Sequence, residues 1–503
     1  MFLQRSEGKQ AHGWYLRVKE TKSEEKGGRE SECSIVPTSQ GNSPQGDPDE
    51  GRGHRGIEPL KGKMAETSSS ESVSTKLQRI AELSRKGPAM VWTTLAHHID
   101  LDWLKVAYHQ TRKDGAVGID GQTAKEYAEN LEENLQSLLD RFKSGTYKAP
   151  AVKRTYIPKG DGTKTRPIGI PTFEDKVLQR AVVMALEAVY EQDFLDCSYG
   201  FRPGRSAHDA IITLRNGMGR MQGGFVLEVD IQTFFDSLDH TRLREILDKR
   251  VRDGVIRRAI DKWLKAGVLE EGKFERSVLG TPQGGVISPM LSNIFLHEVL
   301  DKWFVQEVRP RLRGYAGLAR YADDFVVGFM NEGDARRVMA VLPRRFGRFG
   351  LTLHPEKTRL LPFKHPDWRG YRGDKATVKG PGSFDFLGFT FYWARIRKDG
   401  KWMIKLKTSR IRLTRSLKRI AQWCKRNRHV PIPDQHRMLV SKLLGHYQYY
   451  GIIGNGKALG QFYFEVRRIW RKWLNRRSNR RHLWWERFVL LLKRYPLPAP
   501  KLA

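Results

Sequence analysis

Two adjacent acids, Asp323 and Asp324, stand between two runs of good strand formers, Gly317–Tyr321 before them and Phe325–Phe329 after them. Such a pattern leaves room for little but a tight β-hairpin with the acids at its tip, and so commits this part of the chain to antiparallel pairing. Successive strand side chains face opposite ways, so the two carboxylates can approach one hard cation only where a turn bends the backbone between them. A solvated Asp-Asp turn is the plain alternative, because turns favour Asp on their own account. The rest of the chain has to decide.

A second strand pattern supplies a partner. From Gly224 to Ile231, the residues Phe225, Leu227, Val229 and Ile231 fall on one face and Val226, Glu228 and Asp230 on the other. The first face is predicted to pack on a core and Asp230 to look into an open cleft. If this strand and the hairpin are neighbours in one antiparallel sheet, Asp230 and Asp323, 93 residues apart, meet in space. Carboxylates so placed can hold two Mg²⁺ ions about 3.5–4 Å apart for in-line phosphoryl transfer. Mg²⁺ suits an all-oxygen site that leaves room for water and substrate phosphates.

Around these acids the chain reads in order. Residues 1–75 are rich in Gly, Ser, Glu, Lys and Pro and lack periodicity, the composition of a disordered leader, with Met64 as an alternative start. Helical spacing begins at Leu77 and marks residues 76–150 as helical. Its clearest signal is the capping box Thr123–Glu126, which predicts one amphipathic helix through Tyr127, Leu131, Leu135, Leu138 and Phe142, ending near Lys143 before Gly145. Tyr156–Pro171 reads as a hairpin about Gly160-Asp161-Gly162, carrying Lys159 and Arg166, two cations able to grip a triphosphate or simply to be solvated. Tyr199–His208, with Arg202 and Arg205, is a phosphate-contacting loop or a basic turn. Gly280–Pro289, with Gln283, is a Gly-rich loop running into a helix marked by Leu291, Phe295, Val299 and Trp303. Gly350–Thr358, with Lys357, follows the acids, and then an alternating strand Phe384–Phe391.

Charge adds a partner. The chain has 90 Lys and Arg against 56 Asp and Glu, and residues 391–503 hold 29 of those cations with only four acids. A field of that size calls for a polyanion. Seven of the 13 tryptophans share the segment, which predicts a packed basic domain with most indoles in its core. No run of 18 apolar residues and no apolar signal core is present, so a soluble protein of the cell interior with no membrane partner is expected. Cys33, Cys197 and Cys424 are too scattered for a disulfide framework or a zinc site.

Taken together and in this order, Ser198–Arg205, Pro282–Pro289, Tyr321–Asp324 and Phe386–Phe389 resemble the reverse transcriptases of group II introns, which are also maturases. The resemblance runs from about residue 76 to the C-terminus. It implies an α+β right-hand polymerase, with fingers and an antiparallel palm over 151–390, followed by an α-helical thumb merged with the maturase, or X, domain over 391–503. Residues 76–150 match the N-terminal extension. Asp230, Asp323 and Asp324 map onto the catalytic acids, the first two as ligands of two Mg²⁺ ions and Asp324 in support. Phe235 matches the steric gate against ribonucleotides, Gln283 the residue behind the templating pair, and Lys159 and Arg166 the triphosphate contacts of the fingers.

For the second activity, Gly445–Ile452 followed by Arg467, Arg468, Arg471, Lys472, Arg476 and Arg477 resembles the maturase domain, so these cations, with Arg202, Arg205 and Lys357, are expected on nucleic acid. The implied partners are the group II intron RNA, a DNA target and primer, and dNTPs, with a homodimer allowed. The implied setting is a bacterial cytoplasmic ribonucleoprotein or an organelle. Many relatives carry an endonuclease module with paired cysteines, and its lack here predicts a primer from elsewhere. A splicing maturase with little polymerase activity, or a reverse transcriptase of a non-intron element, is the competing reading. Intact acids count against the first and the Gly445 pattern against the second.

Overall fold

In the computed structural model the described residues are 64–159, 164–270, 273–275, 284–366, 382–396, 399–477 and 482–501. Their strands, in chain order, are β1 (Val152–Lys159), β2 (Lys164–Ile170), β3 (Gly223–Val229), β4 (Val268–Glu270), β5 (Lys273–Glu275), β6 (Ala316–Tyr321), β7 (Asp324–Phe329), β8 (Arg359–Lys364), β9 (Ser383–Phe386), β10 (Phe389–Arg395) and β11 (Trp402–Thr408). They form three sheets, ordered β2-β1-β4-β5, β6-β7-β3-β8 and β11-β10-β9. All pairings are antiparallel except β1 with β4. Helices surround the sheets and dominate both ends of the described residues, so the fold is α+β.

The central sheet separates two hydrophobic cores. Phe225, Leu227, Val229 and Ile231 from β3 and its extension join Phe325, Val327 and Phe329 of β7 in the first core, as the two-residue period requires. The opposite face is not open along its length, as its polar residues suggested. Val226, Ala319 and Val326 lie buried there in a second core with Phe384–Trp393 and the C-terminal helices. Only the end of that face, at Asp230, opens. Glu228, between the two, is tied to Arg359 at 2.6 Å and to the Asp385 amide at 3.2 Å.

Local structure departs from the sequence reading in three places. The first helix runs Met64–Lys86, so residues assigned to the leader are helical from Met64. The capping box at Thr123 and Glu126 is present, but the helix it starts ends at Glu129 and a new one runs Leu131–Ser144, the break falling at the non-helical Asn130. Phe384–Phe391 is not one strand: Leu387 and Gly388 both take positive φ, 49° and 80°, and turn β9 back onto β10.

After β11 come helices Arg410–Arg426, Ile432–Tyr450, Gly456–Asn475 and Trp485–Arg494. Asn455 knots this unit together: its side chain accepts from the Thr408 amide at 2.7 Å and donates to Thr408 Oγ1 and the Tyr450 carbonyl. Trp393 and Trp470 are buried and Trp484 is exposed, the others lying between. Cys197 and Cys424 are buried free thiols. Among the described residues no helix is long and apolar enough to cross a membrane.

Candidate active site

β3 and β7 pair in a register that matches Phe225 with Phe329 and Val229 with Phe325. One step further, the same register sets Asp230 opposite Asp324. β6 and β7 close through Tyr321 and Asp324, leaving Ala322 and Asp323 as a two-residue turn. Ala322 has φ +56°, a left-handed position where hairpins usually put glycine. The three acids therefore share one end of the central sheet, half-buried at Asp230 and Asp323 and exposed at Asp324.

Strained backbone gathers at this end. Among the described residues five non-glycine positions have positive φ: Phe201, Gln222, Thr233, Ala322 and Leu387. Thr233 is β-branched, for which such a conformation is a genuine outlier. Four of the five lie in the loops singled out from the sequence, at 198–205, 230–236, 321–324 and 386–389, and strain of this kind concentrates at functional sites.

The acid turn rests on a built cradle. Strand β6 is bound on one side by the chain before Gly200, through the Arg320 amide to the Cys197 carbonyl at 2.8 Å and the Tyr199 amide to the Arg320 carbonyl at 2.9 Å. A Cβ on Gly200 would stand 2.4 Å from the Ala322 nitrogen, so only glycine lets that loop lie against the turn. Below it, Arg320 and Asp301 form a wholly buried bidentate pair, joined by Asn293. Sequence reading missed Arg320, Asp301 and Asn293; the visible signal was one arginine in an otherwise apolar strand.

The electrostatics of this end of the sheet set the carboxylates against one another. Burial, then the carboxylates of Asp323 and Asp230, push Asp324 up to about 7, while Arg412 and Arg166 act in the opposite sense. Asp324 is open to solvent yet crowded by protein, as on the floor of a cleft. Lys357, expected on nucleic acid, pairs with Asp230 at 2.6 Å. Among the described residues no three His, Cys, Asp or Glu side chains form a ready-made metal cage. Two or three mutually repelling carboxylates with no closed shell fit a hard cation that takes its remaining ligands from water and substrate.

Arg166 stands on β2 opposite Ile157, half-buried, and its field reaches Asp324. Lys159 ends β1, paired with Lys164, but its side chain lies outside the described residues, as does Gln283. Gly284, next to Gln283, lies so close to β2 that a Cβ would meet the Gly169 carbonyl at 2.5 Å, and the Ile287 amide donates to the buried Gln179 at 3.2 Å. From Gly284 onward the Gly-rich loop is thus laid against the strand that carries Arg166. Phe234 is buried, and Phe235 is partly buried with its ring edge-on to it at 5.3 Å.

Comparison with known proteins bears directly on this constellation. The family described as reverse transcriptase (RNA-dependent DNA polymerase) matches residues 157–391. The group II intron-encoded protein LtrA of Lactococcus lactis subsp. cremoris is 39% identical over 234 residues, 46% of this chain and 38% of that protein. Protein YkfC of Escherichia coli K12 is 35% identical over 294 residues, 52% of this chain and 76% of its own length. The chain belongs to the group II intron-encoded reverse transcriptases. More distantly, nuclear intron maturase 2, mitochondrial, of Arabidopsis thaliana is 27% identical over 307 residues, 50% of this chain and 40% of that protein. The matched part is thus well under half the length of the Lactococcus protein.

In this intron-encoded reverse transcriptase the cations expected on nucleic acid divide into two groups. Arg468 and Lys472 follow the exposed Phe464 at four-residue spacing on helix Gly456–Asn475, and the exposed Arg476 continues the row at its C-cap. Arg476 and Lys472 lie over the Trp473 ring, and Arg468 pairs with Glu465 at 3.0 Å. Arg467 and Arg471 are half-buried over Trp485, and Arg477 is held by the carbonyls of Arg428 and Val430. Arg205 pairs with Asp196 at 2.6 Å. Arg202 departs from expectation: it is 2% exposed, and its guanidinium is taken up by Glu191 and the carbonyls of Leu195 and Ser198, so it braces the loop.

The Gly445–Ile452 motif is also largely interior. His446, Tyr447 and Tyr450 are buried, and Tyr449 donates to the Leu387 carbonyl at 2.8 Å. Its role here is to tie the C-terminal helices to the β9–β10 turn.

Proposed function

We propose that this chain is an RNA-directed DNA polymerase that also binds its intron RNA and promotes splicing and mobility. The observation that carries the reading is the register of the central sheet, which brings Asp230 beside Asp324 and the Asp323 turn. On this reading residues 151–390 are fingers and palm, 391–503 thumb and maturase domain, and 76–150 the N-terminal extension, whose first helix begins at Met64.

Asp230 and Asp323 would hold two Mg²⁺ ions, with Asp324 in support. When bound there, the ions activate the primer 3′-hydroxyl and stabilise the leaving pyrophosphate. Arg166 and Lys159 neutralise the triphosphate of the incoming dNTP. Gln283 backs the templating pair, and the Phe235 ring lies under the sugar, where a 2′-hydroxyl would collide with it. The stripe Arg468, Lys472 and Arg476 contacts phosphates of the structured RNA, with aromatic rings beside it for unpaired bases.

Two assays separate these activities. Primer extension on an RNA template with Mg²⁺ and dNTPs should fail for Asp323→Ala, while splicing of the cognate intron should persist. Equal extension by wild type and variant would end the metal-ligand assignment; loss of splicing along with extension would end the separation.

A further inference from the structure

Beneath the acid turn lies an ion pair that the polymerase reading leaves unused. Arg320 and Asp301 are each 0% exposed, and the guanidinium grips both carboxylate oxygens at 2.8 and 2.6 Å. Arg320 Nη1 donates in addition to Asn293 Oδ1 at 3.0 Å and to the Ala322 carbonyl at 3.1 Å. Asn293, 1% exposed, donates its own amide to the Gly200 carbonyl at 2.8 Å. Burial opposes the charge on Asp301, but Arg320 and His297 outweigh it and hold the carboxyl below its usual range. Asp301 stands on the π-helical stretch His297–Val308, and such distortions recur at functional sites.

Stability alone does not account for this network. Replacing a buried ion pair by apolar residues of similar volume is often neutral or stabilising. What apolar residues could not do is hold the Ala322 carbonyl. That carbonyl belongs to the peptide joining Ala322 to Asp323, at a residue whose left-handed backbone is strained and persists only where its surroundings fix it. The orientation of this peptide sets the direction in which the Asp323 side chain leaves the turn.

We propose that Arg320, oriented by Asp301 and Asn293, is a positioning residue that locks the Ala322–Asp323 peptide and so aims the Asp323 carboxylate at the cation it binds. The proposal rests on the polymerase reading of Asp323. Outer-shell partners of this kind change metal affinity or activity by about 10- to 100-fold when lost.

The test compares wild type with Arg320→Met/Asp301→Leu, which removes the pair without leaving a lone buried charge, and with Asn293→Ala, which leaves the pair intact. Each protein is titrated with Mn²⁺ alone by calorimetry, melted, and assayed for kcat and for the KM of dNTP. The double variant should fold, bind Mn²⁺ about 10- to 100-fold more weakly and lose kcat by a similar factor, with KM changed far less. Asn293→Ala should shift Mn²⁺ affinity the same way by a smaller factor. Wild-type Mn²⁺ affinity in a folded double variant overturns the proposal, as does an unfolded double variant accompanied by wild-type affinity in Asn293→Ala. Asp323→Ala is the control: if it binds Mn²⁺ and extends primers like wild type, the site assignment has failed and not the positioning role.

Discussion

Gly200→Ala probes the active-site geometry with a single methyl group. The backbone of Gly200 does not require glycine, because its φ is not positive. The obstacle is space: the new Cβ would lie 2.4 Å from the Ala322 nitrogen, 3.0 Å from the Tyr321 carbonyl carbon and 3.3 Å from the Ala322 Cα, where ordinary contact begins near 3.4 Å. Loop and turn must therefore part by about 1 Å, all of these contacts being to backbone. Neither side yields easily, since the Gly200 carbonyl is held by Asn293 and the Ala322 carbonyl by Arg320. Overpacking of this kind costs typically about 1–3 kcal/mol, so a lowered Tm is expected from a protein that still folds. A 1 Å displacement of a catalytic group can cost about 10²-fold in rate, and the turn carries Asp323. Single-turnover primer extension should show that loss in the chemical step, with template affinity unchanged. A folded Gly200→Ala protein with the wild-type rate constant would refute the claim that this contact sets the position of the acid.

Other consequences follow from different parts of the molecule. Phe235→Ala should raise incorporation of ribonucleotides relative to deoxynucleotides, measured by single-nucleotide insertion; unchanged discrimination would leave the ring a packing residue. Replacing Arg468, Lys472 and Arg476 by Ala should weaken RNA binding and make the slope of log K against log salt shallower by roughly two to three units, leaving extension at saturating template intact. An unchanged slope would remove this stripe from the RNA interface. Gly460→Ala, inside helix Gly456–Asn475 with nothing within 4 Å of the added methyl, should stabilise by about 0.5–1 kcal/mol in thermal melts, whereas a loss of stability would contradict the packing described for that helix.

The parts of this structure legible in the sequence were those written in local periodicity. The hairpin at Tyr321–Asp324, the two-faced strand before Asp230 and the capping box at Thr123 all appear, because alternation and cap chemistry act within a few residues. What escaped depends on distant partners. The face carrying Asp230 looked open because Glu228 and Asp230 are polar, but Val226 on the same face is buried in a second core with residues of the C-terminal unit. Arg202 read as a surface cation in a basic loop, and nothing local announces that Glu191 and two carbonyls surround it. The cradle of Arg320, Asp301, Asn293 and Gly200 joins residues up to 120 apart and carries no motif of its own. Asn130 broke a helix that its apolar spacing would have continued.

The central claim is that Asp230 and Asp323, brought together by the β3–β7 register, act as one catalytic unit. The most direct measurement is single-turnover incorporation of one dNTP on an RNA template by wild type, Asp230→Ala and Asp323→Ala, with RNA affinity measured in parallel. Each variant should lose about 10³-fold or more in rate, the equivalent of several kcal/mol of transition-state stabilisation, while binding the RNA as wild type does. Either variant incorporating nucleotide at the wild-type rate would contradict the account.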